Sequence, residues 1–534
     1  MKKLSLLENK LKFVGLPLII ILLIFSLYNS LTIGLSWDEN FHLINGQLRW
    51  EYLKSLGKFK NYYYLNNNLY PGLYDTLTYI FLKLLTNIFS NQYIVEIKHT
   101  INFIFSTLSI VGFFLLTKKI FNEDIAIFAC ILCLLNPFFF GHMGMNPKDM
   151  PIFFSFIWFC YFFLKYLENY EKKRIIYLLI FSFFIGFGAG IRISFLLIIF
   201  PPIVLGLIIL IKKFKKELYN LIKKLVIDIN ISFLIIVFLI ILCWPHVIDG
   251  GITFLFETIK NTMSWSNVPA HNLINGNFYE TANTSRLYFL FFFIYRLPFF
   301  ISFLVILSLI LIAVKKYFFI DLIKNFKDKF YILLIFILFP ISIAIIFKVN
   351  IYDNIRLFLF VLPLISLLGS ISLYYLVYNL THTNSRILTT ILIIFFLPFL
   401  YRFILITPYH YSYINYSYPS LKNSYNKFEH DYWGTSYDEL LKNIKKKYIN
   451  IDFSKTKISI CGGNRISHTY YINKYFGIKN FTSPKKADYI MMTNRASFNV
   501  NNKSTCFNQF KGEDLAKVSR LGLTYSIFRK ISKN

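Results

Sequence analysis

The first long apolar run of the chain ends at the polar stretch Ser36-Trp37-Asp38-Glu39-Asn40-Phe41-His42. This stretch places two adjacent carboxylates and a histidine next to a segment that is apolar enough to enter a membrane. Ser36 and Glu39 fit a capping box, in which each side chain bonds the backbone N–H of the other residue at the start of a helix. A capping box gives no reason for Asp38 or His42. The stretch therefore predicts either a helix start alone or a helix start that also presents functional acids.

The composition of the chain indicates an integral membrane protein. Of the 534 residues, 56% are hydrophobic, 20% are aromatic and only 16% are charged, whereas about 25% of the residues of a soluble domain are charged. The formal net charge of +30 could indicate a nucleic-acid partner. However, the lysines and arginines cluster between apolar runs, where they signal topology and attract anionic lipid headgroups. We therefore expect membrane lipids, and no nucleic acid, among the partners.

A spanning helix needs about 20 mostly apolar residues, and the sequence contains about eleven such segments. The predicted spans cover about 14–34, 99–117, 125–141, 151–167, two within 176–211, 226–243, 287–313, 331–347, 357–378 and 387–406. The first has a basic start and no small-residue cleavage site after it, so we interpret it as an uncleaved span. The sequence thus predicts an α-helical polytopic membrane protein.

The distribution of basic residues predicts the orientation of these spans. The loops predicted to be cytoplasmic are short, and most carry a cluster of lysine or arginine, in agreement with the positive-inside rule. Two long loops, about 36–75 and 245–285, fall on the opposite face, and the first contains Asp38 and Glu39. We therefore expect a cytoplasmic N-terminus and a C-terminal segment outside.

From about residue 407 the composition turns polar. The pattern there predicts helices near 437–447 and 467–476 and strands near 457–461, 488–492 and 523–528. Alternating strands and helices indicate a small α/β domain, so we divide the chain into a membrane domain, 1–406, and a C-terminal domain, 407–534. The six cysteines lack the C-x-x-C spacing of a zinc or redox site. Cys461 and Cys506 could pair if the C-terminal domain lies outside.

Charged and histidine side chains accumulate at the predicted outer ends of the spans. They are Asp38, Glu39, His42, Lys148, Asp149, Arg192, His246, Asp353 and Arg356. Each has an ordinary structural explanation, since an arginine can extend to the headgroups and Asp149 could pair with Lys148 or cap the following helix. Charges at membrane depth are nevertheless costly and are usually functional or paired. Because all of these groups lie on one face, we favour a shared functional site.

Acids and bases at an outer membrane face suit the transfer of a sugar from a lipid carrier. A carboxylate can accept the proton of an acceptor hydroxyl. Arginine or lysine can hold a phosphate and stabilise the charge that develops as it leaves. The aromatic spans could line a groove for a polyprenyl chain, although most of these residues would simply pack or face lipid.

The order of the motifs resembles that of the GT-C membrane glycosyltransferases. Within that superfamily, the chain looks like the bacterial relatives of the protein O-mannosyltransferases (glycosyltransferase family 39) and the aminoarabinose transferases of lipid A. The motifs that carry the resemblance are Asp38-Glu39, the P-K-D-x-P turn within 146–151, the D-x-x-R and F-V-x-P span within 352–363, and the runs 408–415 and 429–436. The resemblance implies a GT-C fold with about eleven transmembrane helices and a small α/β domain outside.

The resemblance also implies roles for the matching residues. Asp38 would be the general base, and Asp149 a second catalytic acid near it. Glu39 would orient the acceptor or, with His42, hold a divalent metal cation against the donor phosphate. The residues implied to bind the donor phosphate are Lys148, Arg192 and Arg356. Asp353 is a further candidate for contacting substrate or metal.

The activity that the resemblance implies is a mannosyltransferase-like, inverting sugar transfer. The donor would be a polyprenyl-phosphate sugar and the acceptor a hydroxyl of a lipid, a glycan or a protein. The transfer would take place at the periplasmic face of the bacterial inner membrane. An alternative from another class is a transporter or flippase of lipid-linked saccharides. Such a protein should contain inverted repeats and broken helices, whereas this sequence shows no repeat and places its charges at one face.

Overall fold

The computed structural model describes most of the chain. The described residues are 2–65, 67–263, 271–281, 288–347, 349–380, 382–416, 421–449, 452–496 and 503–532. The second predicted outer loop, 245–285, therefore lies partly outside the described residues.

The first part of the chain is helical. Its helices are α1 (Lys2–Thr32), α2 (Glu39–Lys54), α3 (Leu73–Thr86), α4 (Ile94–Ile120), α5 (Glu123–Leu134), α6 (Pro137–Met145), α7 (Asp149–Glu168), α8 (Arg174–Ala189), α9 (Phe195–Ile198), α10 (Phe200–Lys213), α11 (Leu218–Leu242) and α12 (Pro245–Met263). A hairpin of β1 (His271–Ile274) and β2 (Asn277–Glu280) follows.

The described residues after β2 form six further membrane-region helices and then a sheet. The helices are α13 (Tyr288–Tyr295), α14 (Phe299–Val314), α15 (Lys316–Leu322), α16 (Phe326–Ile346), α17 (Val361–Tyr378) and α18 (Thr383–Leu405). The C-terminal elements are α19 (Tyr437–Lys447), β3 (Ile458–Cys461), α20 (Arg465–Phe476), β4 (Tyr489–Thr493), α21 (Cys506–Gln509), β5 (Gly512–Arg520) and β6 (Leu523–Ile531).

The described residues contain seven helices that are long and apolar enough to cross a membrane, or nine if two bent helix pairs each count as one span. The bent pairs are α5 with α6, at 74°, and α13 with α14, at 112°. The predicted helical, multi-span fold is thus confirmed, with fewer full-length spans than the eleven segments predicted. The difference lies in 176–211, where α8 has 16 residues and α10 has 14. Gly190 ends α8, and Pro201 and Pro202 fix the first turn of α10, because proline fits only where no helical N–H is needed.

The centre of the membrane region is built from α7 and α17. In an 18-residue apolar segment of each helix, 67% of the residues of α7 and 78% of those of α17 are buried. The corresponding shares are only 17% in α11 and 11% in α18. A helix that is apolar on all sides needs either protein or lipid around it. We therefore infer that α11 and α18 present most of their surface to lipid.

The turn between α5 and α6 comes from local side-chain chemistry. The side chain of Asn136 accepts hydrogen bonds from the N–H groups of Phe138 and Phe139 at the start of α6. Pro137 occupies the first turn of α6, where its missing N–H costs nothing. The chain consequently turns before Met145 and delivers the next residues to the start of α7.

The C-terminal segment contains a four-stranded sheet in the order β3-β4-β6-β5. The strand β3 runs parallel to β4, and β6 runs antiparallel to both β4 and β5. This sheet and its helices confirm the predicted small α/β unit. A disulfide joins Cys461, at the end of β3, to Cys506, at the start of α21. The domain boundary at 406 stays a prediction.

Candidate active site

Four separate segments bring their charged side chains together at one end of the membrane helices. Arg356 Nη1 lies 3.1 Å from Asp38 Oδ2 and 3.9 Å from Asp149 Oδ2, and Arg356 Nε lies 3.4 Å from Asp353 Oδ2. Arg192 Nη2 lies 2.9 Å from Asp149 Oδ1. We call these five residues the acid–arginine cluster. Its members were predicted from the sequence to share one membrane face, and the structure places them in direct contact.

Exposure distinguishes Asp38 from the other acids of the cluster. The Asp38 side chain is 30% exposed, whereas those of Asp149 and Asp353 are 3% exposed. The guanidinium of Arg356 is itself buried. Asp38 is therefore the most accessible acid of the cluster, and the two buried acids orient the arginines.

Asn146 sets the position of Asp149. The side-chain oxygen of Asn146 accepts hydrogen bonds from the backbone N–H groups of Lys148 and Asp149, at 3.1 and 2.8 Å. Its amide nitrogen donates to Asp149 Oδ2 at 3.0 Å. Asn146 thus satisfies the open N–H groups of the first turn of α7, a task that the sequence also allowed for Asp149. The Asp149 carboxylate is therefore available to pair with Arg192. Arg192 is thus an ion-pair partner within the protein and not simply a charge that extends to the lipid headgroups.

The backbone that carries Asp353 adopts an unusual conformation. Asp353 and Asn354 have φ angles of +54° and +61°, a region that side chains other than glycine rarely occupy. Such strain persists only where the surroundings hold it. Here Arg495 Nη2 lies 2.9 Å from Asp353 Oδ1, and Trp433 Nε1 donates to Asp353 Oδ2 at 3.3 Å.

Lys148 differs from the two arginines of the cluster in its contacts. Its Nζ lies 3.4 Å from the centroid of the Tyr70 ring, a cation–π contact. Among the residues that the structure describes, no carboxylate forms an ion pair with Lys148. Burial, together with the nearby Arg192 charge, lowers the pKa of Lys148 well below its ordinary value. An anion that entered beside Lys148 would favour the protonated amine, because a nearby opposite charge raises the pKa of a lysine.

Glu39 does not join the acid–arginine cluster. Its buried carboxylate lies 3.1 Å from His99 Nε2 and 3.4 Å from Lys98 Nζ, and it accepts a 2.7 Å hydrogen bond from the backbone N–H of Ser36. Burial alone would raise the pKa of Glu39, but His99 and Lys98 outweigh it and lower the pKa to about 2. One half of the predicted capping box is thus present. The Ser36 hydroxyl instead donates to Met145 O.

His42 is also bound to a partner outside the cluster. Its Nδ1 lies 3.0 Å from Asp75 Oδ1, and Asn45 donates to Asp75 Oδ2 at 2.6 Å. Glu39 and His42 therefore bond different groups, and these two side chains do not fit a shared metal site. In the described ranges, no three His, Cys, Asp or Glu side chains are arranged to hold a metal ion. We derive no catalytic step through a metal.

His246, which the sequence also placed on the outer face, lies outside the acid–arginine cluster. Its Nδ1 lies 2.7 Å from Arg49 Nη1, and its ring packs against Tyr62 and Tyr63. Burial lowers the pKa of His246 to about 3. His246 is thus neutral and packs against the 36–75 loop.

The run 429–436 forms a tight turn against the cluster. Asp431 accepts hydrogen bonds from the N–H groups of Thr435 and Ser436, at 2.9 and 2.8 Å. The turn presents the Trp433 ring to Arg356, whose guanidinium carbon lies 5.0 Å from the ring centroid. The run 429–436 is thus a packed aromatic turn that contacts the cluster directly.

Several residues of the site were not predicted from the sequence. They are Tyr70, Asp75, Lys98, His99, Trp433 and Arg495. A lysine and a histidine inside an apolar spanning segment are unusual, so Lys98 and His99 could have been found. Arg495 lies in a polar segment with many basic residues, and no sequence signal separates it from them.

Comparison with known proteins gives one family match. Residues 76–248 match the family profile described as "Dolichyl-phosphate-mannose-protein mannosyltransferase". The matched segment contains Lys148, Asp149 and Arg192 and ends before Arg356. No curated protein matches this chain.

Three solved structures show a general likeness to this chain. The oligosaccharyltransferase AglB of Archaeoglobus fulgidus, solved with an inhibitory peptide and dolichol-phosphate, is 12% identical with a TM-score of 0.49, over 90% of this chain and 69% of its own. The apo form of the Archaeoglobus fulgidus oligosaccharyltransferase is 13% identical with a TM-score of 0.48, over 89% and 65%. ArnT from Cupriavidus metallidurans is 14% identical with a TM-score of 0.42, over 68% and 59%. The family match over residues 76–248 confirms the resemblance of this chain to the GT-C membrane glycosyltransferases.

Proposed function

We propose that this protein is an inverting glycosyltransferase that moves a sugar from a polyprenyl-phosphate donor to a hydroxyl acceptor. One observation carries the proposal: the partly exposed Asp38 carboxylate lies 3.1 Å from the buried Arg356 guanidinium. A carboxylate that accepts a proton and a cation that stabilises a leaving phosphate are the two groups that such a transfer needs. The family match supports the same chemistry.

Asp38 acts as the general base in this proposal. It accepts the proton of the acceptor hydroxyl, and the acceptor oxygen forms a bond to the anomeric carbon of the sugar. The bond from that carbon to the phosphate oxygen breaks, and its electron pair leaves with the polyprenyl phosphate. A single displacement inverts the anomeric carbon, and no covalent enzyme intermediate forms.

The cations of the site bind the leaving phosphate. Lys148 is the first candidate, because no described carboxylate pairs with it. Arg192 and Arg356 are already oriented by buried acids. A preorganised donor costs no reorganisation when charge develops on the phosphate. We therefore assign Lys148 to initial binding and the two arginines to stabilising the departing group.

We place the site at the periplasmic face of a bacterial inner membrane. The positions of the basic loops support this orientation. The Cys461–Cys506 disulfide in the C-terminal segment also supports it, because disulfides persist in oxidising compartments and are rare in the cytosol.

A transfer assay tests the proposal. Purified protein in detergent is incubated with a labelled polyprenyl-phosphate sugar and cell-envelope acceptors, and product is measured for the wild type, Asp38→Asn and Asp249→Asn. Asp249 is a matched control, because it is a partly exposed acid that pairs with Lys60 at 3.2 Å, outside the cluster. We expect transfer by the wild type and the control, and at least a ~100-fold loss in Asp38→Asn, since general-base catalysis contributes about 10²–10⁴. Full activity of Asp38→Asn would remove Asp38 as the base.

The two bent helix pairs favour a second candidate, a transporter or flippase of lipid-linked saccharides, because broken helices are typical of transporter sites. The same assay separates the two functions. A detergent solution has no second compartment, so a transporter would give no glycosylated product there, whereas a transferase would.

A further inference from the structure

The C-terminal unit holds the backbone immediately before Asp38. The Tyr471 hydroxyl on α20 accepts a 2.6 Å hydrogen bond from Leu35 N–H. Ser467 Oγ and Asn464 Nδ2 donate to Trp37 O at 2.9 and 3.2 Å. The loop that carries Asp38 is thus anchored to the domain that lies farthest away in sequence.

Arg495 reaches the site from the end of β4. Its guanidinium is buried, lies 4.6 Å from the centroid of the Trp37 ring, and donates to Tyr432 O. The same side chain binds Asp353 Oδ1 at 2.9 Å. Arg495 therefore contacts Trp37, which precedes Asp38 in the chain, and Asp353, which lies 3.4 Å from Arg356.

Asp353 is shared between two arginines. Arg495 binds Oδ1, while Oδ2 faces Arg356 Nε at 3.4 Å. Without Arg495, the buried Asp353 carboxylate would keep Arg356 as its one ion-pair partner among the described residues. A buried charge is costly unless it is well paired. Asp353 would therefore draw Arg356 closer to itself and away from Asp38.

We propose that Arg495 is a positioning residue for the sugar transfer, because it holds Trp37 and Asp353 and thereby fixes Asp38 and Arg356 in their contact. This inference rests on the proposed function. It makes the C-terminal domain a part of the catalytic centre, although none of its residues needs to touch substrate.

Kinetics of variants at Arg495, with a control at Arg520, test the inference. Arg495→Met removes the charged contacts with Trp37, Tyr432 O and Asp353. Arg495→Lys keeps the charge but cannot reproduce the fork of a guanidinium. Arg520→Met is the matched control, because Arg520 is another arginine of the C-terminal segment, at the end of β5, and pairs with Glu439 at 2.6 Å. We expect Arg495→Met to lower kcat by about 10- to 100-fold, since small misplacements of reacting groups cost that much, with Arg495→Lys intermediate. The donor KM should change by less than about threefold, as for a loss confined to the transition state.

Removing the acid should partly reverse the loss. In Arg495→Met, the change Asp353→Asn removes the charge that draws Arg356 away, so the double variant should be more active than the product of the two single losses predicts. A kcat of Arg495→Met within twofold of the wild type, or an equal loss in Arg520→Met, would overturn the inference.

Hydrogen–deuterium exchange gives a readout that does not depend on activity. Peptides covering residues 34–38 and 352–356 should exchange faster in Arg495→Met than in the wild type. In Arg520→Met, the exchange rates of these peptides should equal those of the wild type. Unchanged exchange of both segments in Arg495→Met and Arg495→Lys would refute the positioning role, whatever the activity. A wild type that transfers no sugar would refute the proposed function, and the exchange comparison would still decide the role of Arg495.

Discussion

Replacement of Arg356 should lower kcat far more than it lowers the free energy of unfolding. The change Arg356→Met removes one guanidinium that faces three carboxylates, at 3.1 Å from Asp38, 3.4 Å from Asp353 and 3.9 Å from Asp149. The buried acids both keep a partner, because Arg495 stays 2.9 Å from Asp353 and Arg192 stays 2.9 Å from Asp149. Among the ion pairs of the described residues, Asp38 alone is left with no partner.

The expected loss of stability is therefore small. An exposed ion pair is worth ~0.2–1 kcal/mol, whereas an uncompensated buried charge costs about 3–5 kcal/mol. Since both buried acids remain paired, we expect the free energy of unfolding to fall by about 1–2 kcal/mol. The activity should fall much further. Removal of one preorganised donor from a developing charge costs about 10²–10³ in kcat.

The assay measures kcat with a labelled polyprenyl-phosphate sugar and thermal unfolding in the same detergent. Arg402→Met is the control, because Arg402 donates to Ile414 O at 3.0 Å and stacks on Tyr416 at 3.4 Å, apart from the acid–arginine cluster. We expect the control to keep its kcat within about threefold, as for a residue remote from the reacting groups. If Arg356→Met retains kcat within that same range while remaining folded, the cluster does not stabilise the leaving phosphate.

Two further predictions concern single charges. Lys148→Ala should raise the donor KM by about tenfold or more, since a charged hydrogen bond is worth about 1.5–3 kcal/mol, and an unchanged donor KM in titrations would exclude Lys148 from donor binding. Burial raises the pKa of Glu429 from 4.5 to about 7. Between these pH values the unfolded chain has released this proton while the folded chain still holds it, so the fold should lose stability as pH rises from 4.5 to 7. Glu429→Gln should remove a loss on the order of 3 kcal/mol, measured as a flatter dependence of the melting temperature on pH, and a slope equal to that of the wild type would contradict the assignment.

The gathering of charges at one membrane face could be predicted from the sequence. The ends of spanning segments are fixed by length and by the basic loops, so Asp38, Asp149, Arg192 and Arg356 all fall at the same level. Their contact follows because buried charges in a membrane protein must pair. The two short helices α8 and α10 were less predictable, since a run of apolar residues does not reveal where a glycine or a proline pair ends a helix.

The direction of each side chain could not be predicted. Asp38 and Glu39 are adjacent, but successive residues at a helix start point about 100° apart. Glu39 therefore faces His99, a partner 60 residues away, and His42 faces Asp75. The strand β5 was also missed, because it pairs only with β6 at the sheet edge and its polar sequence lacks the alternation of a half-buried strand. Long-range pairings of this kind leave no local signal.

The hydrogen bond from Leu35 to Tyr471 joins residues that are 436 positions apart. During synthesis, the Asp38 loop emerges before the membrane helices α4 to α18, and α20 emerges after them. The Asp38 loop consequently lacks its anchor until α20 has folded. In the proposed reaction, sugar transfer would therefore begin only after the C-terminal unit has bound this loop.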